Sequence, residues 1–197
     1  KRIAVLSDTI AAQLQENDLV LDVGCGGGML GKAIMNLPRC PKGVRVIGLD
    51  PGFGRLGFAV LERQGREWVA LEYGVIETSA KEPFLERLLA VYNGVDKLVK
   101  EYEPTIAGVE ELFFARNVTT AIKVGQARGV ALLALAQGKV RVCEFTPQEV
   151  KQAVTGYGKA DKAQVAAMVK ILLKLGNKKL LDDATDALAI ALAAAPG

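Results

Sequence analysis

The sequence predicts an α/β domain with a five-stranded mixed sheet and helices on both faces. Two patterns predict it. Three apolar runs come first, separated by tight turn signals, which makes them an antiparallel meander. Helix and strand signals then alternate to the end of the chain, the order that covers both sides of a sheet. Half of the 197 residues are hydrophobic, so one substantial core is within reach.

The first strand is expected over residues 44–50, ending at the Pro51-Gly52 turn, and the second over 57–63, ending at Gln64-Gly65. The third follows over 68–78. Residues 83–102 place Phe84, Leu85, Leu88, Leu89, Val91, Val95, Leu98 and Val99 at helical spacing, which predicts an amphipathic helix lying on the sheet. A fourth strand is expected over 105–112, then a loop from Phe113 to Arg116, and a long helix capped by Asn117 and running to about Gln137. Val140 to Phe145 reads as the fifth strand. Thr146-Pro147-Gln148-Glu149 is a capping box with proline at the first helical position, so a helix starts there. It ends near Gly156-Tyr157-Gly158. Two more helices are expected, over 161–175 and 182–195.

Four carboxylates stand out against this frame. Asp50 ends the first strand in V-I-G-L-D-P-G, and Glu110 lies near the end of the fourth in A-G-V-E-E-L-F-F. Both follow apolar runs of the kind that form buried strands, where a carboxylate is costly to desolvate without a cation or hydrogen bonds. Asp183 and Asp186, in D-D-A-T-D-A-L-A-I-A-L, are three apart on a helix and share a face. If the fourth strand lies beside the first, one cleft gathers all four. Such a set of hard oxygen donors suits magnesium or manganese. The chain has no histidine, which argues against zinc and serine-histidine catalysis. Glu111 is expected on the opposite side of its strand from Glu110.

Charge is uneven along the chain. Residues 115–181 carry only Glu144, Glu149 and Asp161 as acids among twelve lysines and arginines, an imbalance suited to a polyanion. Cys25, Cys40 and Cys143 follow no metal-ligand spacing and are expected to be reduced thiols. No apolar stretch is long and charge-free enough to span a bilayer, and no signal peptide is visible, so the cytoplasm is the expected location.

Five segments in order, V-I-G-L-D-P-G, V-E-E-L-F-F-A-R-N, A-I-K-V-G-Q-A-R-G-V, Q-E-V-K-Q-A-V-T-G-Y-G-K-A-D-K and D-D-A-T-D-A-L-A-I-A, resemble the RuvC crossover junction endonucleases. The resemblance implies a ribonuclease H-like fold over residues 44–197. It also implies a homodimer that resolves four-way Holliday junctions by paired nicks, together with a branch-migration motor of the RuvA–RuvB type. By motif position it makes Asp50, Glu110, Asp183 and Asp186 the catalytic acids and ligands of two magnesium ions, with manganese as a substitute. The family spacing selects Asp183 over Asp182 and leaves Asp182 to cap the helix. The chemistry implied is two-metal phosphodiester hydrolysis giving 5′-phosphate and 3′-hydroxyl ends.

The resemblance places Lys162 near the scissile phosphate, as a stabiliser of developing negative charge. Lys151 is then a backbone contact, and Arg116 a phosphate contact. Phe113 is expected to stack on an unpaired base, with Phe114 more inward. Gly156 to Asp161, including Gly158 and Lys159, reads as a flexible loop touching DNA near the cut. The helix after Asn117 has a stripe of Val118, Ala121, Val124, Ala127, Ala131, Ala134 and Leu135, which a two-fold dimer would bury.

Residues 1–43 are foreign to that pattern. N-D-L-V-L-D-V-G-C-G-G-G-M-L, with Asp22, Gly24, Gly26 and Gly28, resembles the first motif of S-adenosylmethionine-dependent methyltransferases. Forty-odd residues cannot make that fold, so the head is expected to be a fusion, a mistaken start or a fragment, joined through residues 39–43. Two other functions compete for the main domain: an RNA-processing nuclease of the same fold, and a junction-binding protein that does not cut. The intact set of four acids argues against the second.

Overall fold

The computed structural model describes residues 43–111 and 118–196. Five strands form one sheet: β1 (Arg45–Asp50), β2 (Arg55–Gln64), β3 (Glu67–Glu77), β4 (Ile106–Glu110) and β5 (Arg141–Phe145). Their order is β3-β2-β1-β4-β5. β1 pairs antiparallel with β2, and β2 with β3; β1 with β4 and β4 with β5 are parallel. The mixed sheet expected from the chain order is therefore present. The β2–β3 hairpin closes through Gly65 and Arg66 between the paired residues Gln64 and Glu67. Gly65 takes φ of +63° there, a conformation a two-residue hairpin demands and glycine adopts without strain.

Alternation along each strand assigns the two faces. Ile47, Leu49, Leu56, Phe58, Val60, Ala107 and Val109 pack on one side with α1 (Phe84–Tyr102) and α2 (Val118–Gln137). Val46, Ala59 and Leu61 pack on the other with α3 (Pro147–Thr155), α4 (Lys162–Leu172) and α5 (Asp182–Ala194). The helix starts follow their local chemistry. The Thr146 and Glu149 side chains complete the expected capping box at α3, and Asp161 with Gln164 makes a second one at α4. α4 stops at Leu172, short of the expected end, because Leu173 leaves helical geometry and Lys174 enters left-handed backbone at φ +53°.

α5 lies almost directly on the sheet. A Cβ at Gly48 would stand 2.2 Å from the Ala187 carbonyl oxygen, and one at Gly108 would stand 2.8 Å from that of Ile190. Missing side chains in the strands, and alanines in the helix, let the backbones approach. Hence the acids at the start of α5 are held close to the sheet surface.

Two readings of helix faces need correction. Four residues of the small-residue stripe of α2 point inward: Ala127, Ala131, Ala134 and Leu135 are fully buried within this chain, the last three in the core shared with α1. What α2 leaves outward is Ile122 and Leu133, 58% and 51% exposed. On α1, Leu85 and Leu89 are likewise exposed instead of packed on the sheet. Apolar periodicity identified the helices correctly, but it cannot say which apolar residues a given neighbour covers.

Candidate active site

Asp50 is the last residue of β1 and is paired with Gly57 of β2. The parallel register sets Leu49 beside Val109, so the next residues, Asp50 and Glu110, end neighbouring central strands. Both fall on the face covered by α5. β5 supports Glu110 from its other side through the Glu110–Phe145 pair. Glu111 follows it, exposed, with its backbone N–H donating to the Phe145 carbonyl at 2.9 Å.

α5 brings the other two acids. Asp183 is half-buried, and its backbone carbonyl lies where a Gly57 side chain would be. Asp186 is half-buried one turn later. Asp182 is exposed and turned toward α4, where it lines a groove with Lys162, Lys170 and Lys179. It does not cap α5 as expected: the cap position is Leu181, which makes no side-chain capping bond, and Asp182 is the first helical residue. Of the adjacent pair, then, Asp183 is the one directed at Asp50.

The electrostatics bind the set together. Burial first, then the carboxylates of Glu110, Asp186 and Asp183, push Asp50 up to about 7, against an opposing pull from Lys162. Burial, followed by Asp186, also raises Glu110 above the usual carboxylate range, and Lys162 again opposes. The Lys162 ammonium donates to Asp186 Oδ2 at 3.1 Å. Its own pKa is raised, by that hydrogen bond first, then by the Asp186 charge, with Asp182 and Asp50 adding to it. A half-buried acid facing three others is stabilised as an anion by added positive charge or by hydrogen bonds to its oxygens.

The donor chemistry fits a divalent cation: carboxylate oxygens only, and no histidine in the chain. The carboxylates do not yet close around a common point. Among the described residues no three such side chains stand close enough together to hold a metal ion, and Lys162 occupies Asp186 instead.

Other candidates fall into three groups. Lys151 is half-buried on α3, and Lys159 is exposed. Residues 156–161 are not the loose loop expected. Gln152 Nε2 donates to the Gly156 carbonyl at 2.8 Å, and the Gly158 N–H donates to Gln152 Oε1 at 2.9 Å. The Tyr157 N–H donates to Thr155 Oγ1 at 3.1 Å. The loop thus delivers Lys162, first residue of α4, in a defined position. Phe113, Phe114, Arg116 and the Asn117 cap lie outside the described residues, as do residues 1–42.

Three supporting residues were missed by sequence reasoning. Arg128 of α2 donates through Nε to the Glu110 carbonyl at 3.1 Å and through its terminal nitrogen to Glu144. Arg87 of α1 sets its guanidinium 3.7 Å from the centre of the Phe53 ring. It also donates to the Phe53 carbonyl at 3.3 Å and to Thr78 Oγ1 at 3.1 Å, which anchors the turn after Asp50. Gly57 is the third. Arg128 lies in the A-I-K-V-G-Q-A-R-G-V segment, but nothing in spacing alone links it to Glu110.

A sheet with acids ending its two central strands, completed by a pair from the last helix, defines a nuclease of the ribonuclease H-like class. The family model described as crossover junction endodeoxyribonuclease RuvC matches residues 46–194, and this chain belongs to that family, whose members are divalent-metal nucleases. A protein of that name from Petrotoga mobilis is 47% identical over 146 residues, 74% of this chain and 90% of the relative. One from Chloroflexus aggregans is 50% identical over 149 residues, covering 76% and 91%. The solved structure of Thermus thermophilus RuvC in complex with Holliday junction substrate matches with a TM-score of 0.73 and 38% identity, over 76% of this chain and 92% of that one. No helix among the described residues is long and apolar enough to cross a membrane.

Proposed function

We propose that this chain is a crossover junction endodeoxyribonuclease that resolves Holliday junctions by paired, symmetric phosphodiester hydrolysis in recombination and repair. The observation that carries this reading is the gathering of Asp50, Glu110, Asp183 and Asp186 at one end of the sheet, in a chain of the RuvC family. These four would hold divalent ions, magnesium in the first instance, with manganese as a substitute. When bound, two such ions lower the pKa of the attacking water and stabilise charge on the leaving 3′ oxygen.

The remaining work belongs to the chain. β1 and β4 fix Asp50 and Glu110 side by side, and α5 fixes the other pair over them. Lys162 stands at the mouth of the cleft. The Lys162 ammonium, 3.1 Å from Asp186 Oδ2, would meet charge developing on the phosphate. No covalent enzyme intermediate is needed. Lys151, Gly158 and Lys159, with Arg116 and Phe113 or Phe114, complete the DNA contacts by motif position.

The working form is a homodimer, whose two sites match the symmetry of a four-way junction, supplied by a branch-migration motor in the cytoplasm. The outward Ile122 and Leu133 of α2 support an intermolecular contact. Residues 1–43 form an extension foreign to the domain at 44–197, in keeping with a family match that starts at residue 46. The test is incubation with a labelled mobile four-way junction and a linear duplex, with magnesium and with chelator. Symmetric magnesium-dependent nicks confined to the junction are expected; cutting of the linear duplex alone, or no cutting of the junction with magnesium, would overturn the reading.

A further inference from the structure

A groove lined by lysines adjoins the catalytic cleft. α4 places Lys162, Ala166 and Lys170 four residues apart on one face, and α5 lies opposite with Asp182, Thr185 and Asp186. Lys179 and Leu180 close the end. Together these residues line a groove of about 150 Å³, which opens from the catalytic Asp186.

The charges in this groove are unevenly committed. Lys162 is paired with Asp186 at 3.1 Å. The Thr185 hydroxyl donates to the Leu181 carbonyl at 3.0 Å. Lys170 and Lys179, however, have no side-chain hydrogen bond or ion pair among the described residues. Lys170 is half-buried and lines the groove, and Lys179 is exposed beside it. Asp182 is the opposing charge. It acts on Lys162, and one carboxylate does not balance two further ammoniums.

We propose that this groove is a second phosphate subsite, in which Lys170 and Lys179 hold a backbone phosphate of the cut strand next to the scissile one. The inference rests on the junction-nuclease reading above. Lys162 and Lys170 are eight residues apart, about 12 Å along the helix axis, so a strand following the groove presents different phosphates to the two. Lysine suits the task as a compact point charge that needs no fixed donor geometry. The subsite sets the register of the strand, and Lys162 then meets the phosphate that is cut.

The test measures binding of a labelled four-way junction by the full chain, in chelator, across a salt series. The doubly substituted Lys170→Ala, Lys179→Ala chain should show a slope of log affinity against log salt reduced by about 0.7–0.9, the share of the one phosphate that the two lysines hold. Lys178→Ala, a neighbour outside the groove, should keep the wild-type slope, and Lys170→Arg with Lys179→Arg should restore it. Junctions carrying one uncharged methylphosphonate at successive positions beside the cut should weaken wild-type binding severalfold at one or two positions, and leave the double alanine variant indifferent there. An unchanged slope, or methylphosphonate sensitivity retained in that variant, overturns the subsite while the wild type still binds and nicks. A wild type that never nicks the junction with magnesium overturns the function reading instead, and the subsite falls with it.

Discussion

The Asp183 carbonyl oxygen occupies the space that a side chain at Gly57 would need: a Cβ there would lie 2.1 Å from it. Gly57 is also the strand partner of Asp50. One absent side chain thus sets how closely α5 and its acids approach the end of β1. Gly57→Ala must push the first turn of α5 off the sheet. Overpacking of this kind costs about 1–3 kcal/mol, and a displacement of ~1 Å at the reacting groups costs on the order of 100-fold in rate. Thermal unfolding and single-turnover nicking of the variant should show both losses, with the rate loss the more severe.

Asp50→Asn should leave junction binding near wild type and abolish nicking. The substitution is nearly isosteric and removes the charge that the other three carboxylates oppose. Binding in chelator and cleavage in magnesium, measured on one preparation, separate the two. Retained nicking would remove Asp50 from the metal-holding set.

The same residue predicts a pH dependence for the metal-free protein. Its folded pKa is about 7 against an ordinary value of 3.8. Between these limits the folded state binds more protons than the unfolded chain, so stability falls as pH rises from about 4 to about 7. The melting temperature in chelator should decline over that window. Asp50→Asn should flatten the decline, and magnesium should oppose it by favouring the ionised carboxylates. A wild-type curve that is flat or rising over this range would contradict the crowding of acids.

Lys162→Gln tests the residue at the mouth of the cleft. Removing a donor that meets developing charge costs on the order of 100-fold in the chemical step, whereas loss of one exposed ammonium weakens binding far less. Single-turnover rates at saturating enzyme should carry most of the effect. An equal loss in binding alone would make Lys162 a simple backbone contact.

Arg87→Leu tests the clamp on the turn that follows Asp50. The variant loses the guanidinium stacked 3.7 Å over Phe53 and the bonds to the Phe53 carbonyl and Thr78. A destabilisation of about 1–3 kcal/mol follows from those contacts. Nicking should slow at temperatures where the variant is still folded, because Phe53 lies three residues from Asp50.

By itself, the sequence determined the acids, their attachment to strand ends and one helix, the mixed sheet and the capping box at Thr146. Those features are local: residue type, alternation and spacing carry them without knowledge of a neighbour. Only the tertiary structure decided which surfaces meet. It turned the alanine stripe of α2 inward and left Ile122 and Leu133 outside. It directed Asp183 to the sheet and Asp182 to the lysine groove, and it tied Gly158 to Gln152 in a loop whose composition suggested looseness. Periodicity reports that a face is apolar but not what covers it. A glycine in a strand reports an empty space but not the carbonyl that fills it. An arginine such as Arg128 finds the Glu110 backbone only after two distant segments have packed.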